Sequence, residues 1–238
     1  MLRWLYPMIC HLCHEKCELG LCPECMRSLP RVPKPICLYC GAPVAGEQAD
    51  AFHCDACSDR PRSFSLARSA IRSSEESMLL IHALKYRKAA YIAPALAALM
   101  AEVWHATPEL RELKNAAIVP VPITHRHLSK RGYNQAEELA KPLAAALHLP
   151  CLQPLIRHNT ESDSQTRLSA AQRLHNAMAA YAAAPAYTSG KKQLPPDIVL
   201  IDDVYTTGAT ARACAKALKS IPGVKNVAVL TAIRVVLS

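Results

Sequence analysis

The sequence uses large aromatics sparingly. Phenylalanine and tryptophan occur twice each in 238 residues, which leaves no evident platform on which nucleic-acid bases could stack. Long apolar runs are missing too. No stretch offers the roughly 18 uninterrupted apolar residues of a membrane span; the alanine-rich run 89–101 contains Pro94 and stops at Glu102. In MLRWLYPMICHLC the apolar patch is too short for a secretory h-region and is broken by Pro7 and cysteines. The expectation is a soluble, cytoplasmic protein with no membrane insertion.

Acidic residues are in deficit, 19 against 28 basic ones, for a formal net charge of +9 and a pI near 9.1. Such a surplus favours contact with polyanions, either nucleic acid or phosphorylated small molecules. The charge is spread out. Residues 60–88 hold Arg60, Arg62, Arg68, Arg72, Lys85, Arg87 and Lys88 against Glu75 and Glu76, and further groups stand at Arg126, Lys130, Arg131, Arg157, Arg167 and Arg173. Each cluster taken alone also reads as a solvated basic surface.

Cysteine is concentrated at one end. Nine of the eleven lie before residue 58, leaving Cys151 and Cys214 in a remainder rich in Ala, Leu and Ile. A chain of this length can bury one medium domain and carry a small second one, so residues 1–62 are expected to form a metal-binding module and 63–238 the main domain. The cysteines fall into CxxC pairs, Cys10/Cys13, Cys22/Cys25, Cys37/Cys40 and Cys54/Cys57. Two such knuckles complete a tetrahedral four-thiolate site with Zn–S distances of about 2.3 Å, so four knuckles imply two structural Zn2+ ions. A disulfide framework does not suit a reducing cytosol. Redox chemistry is disfavoured because the pairs sit among prolines and short polar loops. Sequential pairing is simplest, a cross-brace joining the first pair to the third is the alternative, and Cys17, His11, His14 and His53 are spare donors. Four thiolates leave no open position for substrate, so the metal's role is structural.

In the remainder, hydrophobic patterning alternates strand and helix. Strands are expected at 65–71, 116–122, 151–156, 197–203 and 226–234, and helices at 75–88, 89–106, 134–148, 169–180 and 208–221, the third kinked or delayed by Pro142. ITHRHLSKRGYN (123–134) and 185–196 read as loops. The order implies an α/β domain with a mostly parallel sheet.

The sharpest local signal is DIVLIDDVYTTGAT (197–210). An apolar strand delivers Asp202 and Asp203 to the carboxyl edge of a parallel sheet, where ligands bind. The turn that follows offers Thr206, Thr207, Gly208, Ala209 and Thr210 at a helix start, an anion cradle suited to phosphate. Like charges repel, so the acids do not bind phosphate themselves; they suit sugar hydroxyls, and the pair of features describes a ribose 5-phosphate. A helix cap alone needs one Ser, Thr or Asp. A Walker A loop is excluded by the missing GK[ST], and the acids are not spaced DxD.

The strand, acid pair and TTGAT resemble the phosphoribosyl pyrophosphate (PRPP) signature of type I phosphoribosyltransferases. That resemblance implies that Asp202 and Asp203 hold the ribose hydroxyls, that Thr206 to Thr210 hold the 5-phosphate, and that Mg2+ accompanies PRPP. It also implies a catalytic role for Asp202, Asp203 and Arg131, with Arg126, Lys130 and Arg131 on the pyrophosphate and Lys85 with Arg87 as a second basic set. The four-cysteine knuckles, IVPVP followed by KRGYNQAEELA (130–140), QTRLSAAQRLHNA (165–177) and the PRPP motif together resemble the ComF family, including GntX-type proteins, over nearly the whole chain. Gln165, Arg173 and Asn176 fall in its third segment. This implies a competence or DNA-utilisation protein with a zinc-finger end and a phosphoribosyltransferase domain of the type I fold. It would act on or near imported single-stranded DNA, with DNA-uptake or recombination proteins as partners. The alternative is an active phosphoribosyltransferase, amidophosphoribosyltransferase-like, with an unidentified acceptor and no DNA role. Some purine-type enzymes of the wider family carry a third acid before the Thr-Gly as general base; Thr206 stands there in this sequence.

Overall fold

Four parallel strands carry the molecule in the computed structural model, which describes residues 7–44, 53–58, 62–113, 115–158 and 180–236. They are β1 (Ala67–Arg72), β2 (Ala117–Pro120), β5 (Asp197–Tyr205) and β6 (Asn226–Arg234), in the order β1-β6-β5-β2. Ile198 to Ile201 on β5 and Val227 to Leu230 on β6 are fully buried, as expected of strands covered on both faces. A separate antiparallel pair, β3 (Leu155–Arg157) and β4 (Tyr181–Ala183), lies beside it.

Helices cover both faces. On one side lie α3 (Glu75–Tyr86), α4 (Ala93–Ala106) and α7 (Gln135–Leu147), packed with Val199, Ile201, Leu230 and Ile233. On the other, α9 (Ala209–Lys219) buries Ala211, Cys214, Ala215 and Leu218, a helical spacing, against Ile198, Leu200 and Val229. Ser74 and Ser77 cap α3 reciprocally, which fixes the start of the helix that carries Lys85.

Residues before the sheet form two cysteine-bearing lobes with short helices α1 (Pro23–Ser28) and α2 (Asp55–Ser58). The first lobe contributes Cys10, Leu21 and Cys22 to the core on the α4 side; the second contributes Cys37, Tyr39 and Cys40 to the core on the α9 side. The lobes thus straddle the sheet at its β1 edge. The N–H groups of Arg72 and Ala67 donate to the carbonyls of Pro30 and Tyr39, and Arg31 bridges Ile71, so the outer edge of β1 is capped rather than left as a pairing template. A side chain at Gly41 would come within 2.6 Å of the Ala67 carbonyl oxygen; the second lobe approaches β1 that closely because glycine stands there.

Three expectations need correction. ITHRHLSKRGYN is not a loop: α6 (His125–Arg131) starts where Thr124 Oγ1 accepts from His127 N–H at 3.3 Å and ends at left-handed Gly132, both ordinary helix-end signals. The segment 185–196 opens with a single helical turn, α8 (Pro185–Thr188), with proline in its first turn. The helix through Pro142 is not delayed: it begins at Gln135, capped by Asn134. Its buried face of Ala136, Leu139, Ala140, Leu143 and Ala144 offsets the one backbone bond that proline removes. The helix expected at 169–180, with Gln165, Arg173 and Asn176, lies outside the described residues except for Ala180. A further short helix, α5 (Pro108–Arg111), follows α4, and no helix among the described residues is long and apolar enough to cross a membrane.

Candidate functional site

β5 ends at the sheet's carboxyl edge with both acids within it. Successive strand residues alternate in direction. Asp203 is buried, in the direction of α3, where Lys85 Nζ lies 2.5 Å from its Oδ2; that oxygen has no aligned hydrogen-bond donor, so the contact is an ion pair. Asp202 is half-buried, and its Oδ1 accepts from the Asp203 N–H at 2.9 Å. Burial, and then the neighbouring Asp203 charge, raises the Asp202 pKa well above the ordinary carboxylate range.

Beyond Tyr205 the chain turns through Thr206 and Thr207, both exposed, into Gly208 at φ 73°, the N-cap of α9. No side chain caps this helix, so its first N–H groups face outward with the helix dipole behind them. A side chain at Gly208 would fall 2.6 Å from Tyr205 Cζ; glycine lets the turn lie on the tyrosine ring. A pocket of about 50 Å³ opens here, lined by Asp202, Thr206, Thr207, Gly208, Ala209 and Thr210. The structure therefore brings all seven expected ribose and phosphate residues, Asp202 and Asp203 included, to one sheet edge.

Asp202, Thr206 and Thr210 also line a larger cleft of about 510 Å³. Asp203, Lys85, Arg131, Arg157, Tyr181 and His127 face the same space. Of the basic groups expected on a pyrophosphate, Arg131 and Lys85 reach the cleft; Arg126, Lys130 and Arg87 are not among its lining residues. Arg131 is held by Gln135 Oε1, which accepts from its Nη1 at 2.7 Å, and by the Tyr86 ring, 5.2 Å from its guanidinium. Surrounding cations and burial keep the His127 imidazole below its usual pKa, burial being the larger cause.

Arg157, one of the dispersed basic groups of the sequence, and Tyr181, which no motif marks, also face the cleft. They sit on β3 and β4, with the guanidinium 5.2 Å from the ring, and Arg157 Nε is buried with no hydrogen-bond partner among the described residues. Burial pushes the Tyr181 phenol up to about 12. Neither strand has a periodicity long enough to have marked these residues in the sequence. Arg68, counted among the basic groups, is instead buried and donates to the carbonyls of Leu38 and Ala67.

The cysteines group sequentially. Cys10, Cys13, Cys22 and Cys25 form one cluster and Cys37, Cys40, Cys54 and Cys57 another, each with its sulfurs within 4.8 Å of one another. The cross-brace is thereby overturned. Sulfur pairs Cys13/Cys22 and Cys40/Cys54 stand 3.6 Å apart, close to the roughly 3.8 Å edge of a zinc tetrathiolate. Backbone N–H groups of the knuckles outweigh burial and lower the Cys10 and Cys37 thiols to about 6, whereas burial raises those of Cys25, Cys54 and Cys57; one thiol in each cluster is thereby set toward the thiolate a metal needs. The donor set fits structural Zn2+ at both sites. Cys17 belongs to neither cluster, nor do His11, His14 and His53; His11 bonds to the Tyr91 hydroxyl at 2.7 Å and His53 to Arg62 at 3.0 Å.

Residues 1–58 match the double zinc ribbon domain. The chain is 30% identical to Competence protein F of Haemophilus influenzae over 88% of each chain. It is 30% identical to DNA utilization protein YhgH of Escherichia coli O157:H7, covering 89% of this chain and 91% of that one. With Competence protein ComFC of Bacillus subtilis the identity is 26%, over 97% and 96%. With a double zinc ribbon joined to a mostly parallel α/β sheet, and relatives of this kind along most of its length, the chain belongs to the ComF family.

Proposed function

We propose that this protein serves competence or DNA utilisation, the role its relatives' names give to them, and that its cleft binds PRPP with Mg2+. The observation that carries the reading is the convergence of the acid pair, Thr206 and Thr210 of the turn and Arg131 on one cleft, with the uncapped helix start at Gly208 in the small pocket that shares Asp202, Thr206 and Thr210 with it. In this reading Asp202 and Asp203 accept hydrogen bonds from the ribose 2- and 3-hydroxyls. The N–H groups and hydroxyls of Thr206 to Thr210 donate to the 5-phosphate, and Arg131, with Arg157 beside it, faces the diphosphate. Mg2+ would be held by Asp202 and Asp203 together with phosphate oxygens, and would supply charge neutralisation on the diphosphate.

Transfer would break the bond from C1 to the diphosphate oxygen, the electron pair leaving with the diphosphate, while an acceptor lone pair bonds to C1 and its proton goes to a base. Thr206 supplies a hydroxyl where that base would stand, and a hydroxyl does not take protons at neutral pH. Binding is therefore the function the site supports, and turnover with an unidentified acceptor is the second reading. The net charge of +9 supports contact with imported single-stranded DNA, and DNA-uptake or recombination proteins are the partners that role implies. Residues 1–62 and 63–238 are the division of labour proposed.

Thermal melting tests the reading. PRPP with Mg2+ at about 100 times its Kd should stabilise the wild type by about 2.7 kcal/mol, a rise of several degrees. The Asp202→Asn/Asp203→Asn variant should show no rise. Binding of a labelled single strand should fall steeply with salt, survive the Asp changes and weaken on Arg62→Glu. An equal ligand-induced rise in both proteins sinks the site assignment.

A further inference from the structure

Arg68 and Arg234 are the buried basic residues among those described, and both stand at the second cysteine cluster, none at the first. Arg234 closes β6 in register with Tyr205. Its Nη2 lies 3.7 Å from Cys40 Sγ, and its guanidinium stacks 4.4 Å from the centroid of the Tyr205 ring. Nε and Nη1 of the same group have no hydrogen-bond partner among the described residues. A buried guanidinium left this way is costly unless an anion faces it. A zinc tetrathiolate carries a net charge of −2, and Arg234 is placed to balance it.

Tyr205 continues the connection. Its ring meets Phe64 edge-on at 6.4 Å, and Phe64 stacks on Tyr39, between Cys37 and Cys40, at 4.5 Å. On its other side the Tyr205 phenol lies under Gly208, where any side chain would collide with it. An unbroken series therefore runs from Cys40 through Arg234 and Tyr205 to the turn that opens α9.

We propose that Arg234 and Tyr205 couple the second zinc site to the phosphate cradle, so that metal in the second ribbon and a ribose 5-phosphate group at Gly208 strengthen each other's binding. Arg234 is a positioning residue: it touches neither sugar nor phosphate. With the ribbon metal-loaded, the guanidinium is pinned between sulfur and ring, and the ring supports the turn. With the metal gone, the guanidinium loses its anion and must seek water, and the turn loses its floor. The inference rests on the phosphate-cradle reading above, and coupling of this kind acts equally in both directions.

The test uses the full-length, zinc-replete chain. Zinc release to a chromogenic chelator is followed with and without saturating ribose 5-phosphate, whose binding is first measured by calorimetry. Two release phases are expected, and the ligand should slow one about tenfold while leaving the other unchanged. Arg234→Gln should speed that phase and weaken ribose 5-phosphate about tenfold, and Arg234→Lys should recover part of both effects. Should Arg234→Gln not fold, the wild-type comparison decides alone. Bound ligand that moves neither phase overturns the coupling and leaves the cradle standing. Failure of the wild type to bind ribose 5-phosphate overturns the cradle and the coupling with it.

Discussion

Lys85 on α3 and Asp203 on β5 meet at 2.5 Å, so one of the two adjacent acids is paired within the cleft, while Asp202 has no cation partner among the described residues. Two carboxylates beside a phosphate cradle would repel a polyanion, and Lys85 halves that repulsion. Lys85→Met should therefore weaken PRPP about tenfold or more and lower Tm by a few degrees, because Asp203 is left buried without its counter-charge. Calorimetry and melting of the variant check both parts; unchanged affinity would remove Lys85 from the site.

Asp202 pulls stability and binding in opposite directions. Its folded-state pKa is raised, so the stability it contributes is present below the unfolded carboxylate value and is lost as pH rises through the raised one. In its ionised form the group is a burden on the fold without ligand. Asp202→Asn should raise the ligand-free Tm by about 2–4 °C and abolish the gain given by PRPP. In the wild type, affinity should fall with pH as Asp202 takes up its proton, which a series of titrations at decreasing pH would follow.

Arg131 and its neighbours on α6 can be told apart by ligand. Arg131 lines the cleft where the diphosphate would lie, whereas Arg126 and Lys130 do not. Arg131→Ala should cost PRPP about tenfold or more in affinity and leave ribose 5-phosphate nearly untouched. Lys130→Ala should leave both within about twofold of wild type. Equal losses for the two variants would make the effect one of general charge.

Gly208 combines a left-handed backbone with contact against a buried ring. Gly208→Ala adds about 1–2 kcal/mol of backbone strain and a collision with Tyr205. A Tm lowered by several degrees and loss of ribose 5-phosphate binding are the expected outcomes, read by melting and calorimetry.

Much of this arrangement was legible in the sequence because its signals are local. CxxC spacing marks a metal site without knowledge of the fold. The run from Asp197 to Asp203 reads as a buried parallel strand, and the turn from Thr206 to Thr210 needs only its own residues to form a cradle. The places of Arg157, Tyr181 and Arg234 were not legible. They reach the cleft and the second ribbon through strand pairings that join distant segments, β3 with β4 and β6 with β1 and β5. Arg68 looked like surface charge because exposure is a property of packing and not of residue type. The helix α6 carries its caps, Thr124 and Gly132, but buries none of its residues, so it has no apolar periodicity to mark it in the sequence.

Calorimetric titration of the zinc-replete chain with PRPP and Mg2+, beside the Asp202→Asn/Asp203→Asn variant, addresses the cleft itself. Saturable heat at one ligand per chain in the wild type, absent from the variant, is the expected result. No heat from the wild type, or the same heat from both proteins, would contradict the assignment of this sheet edge as a PRPP site.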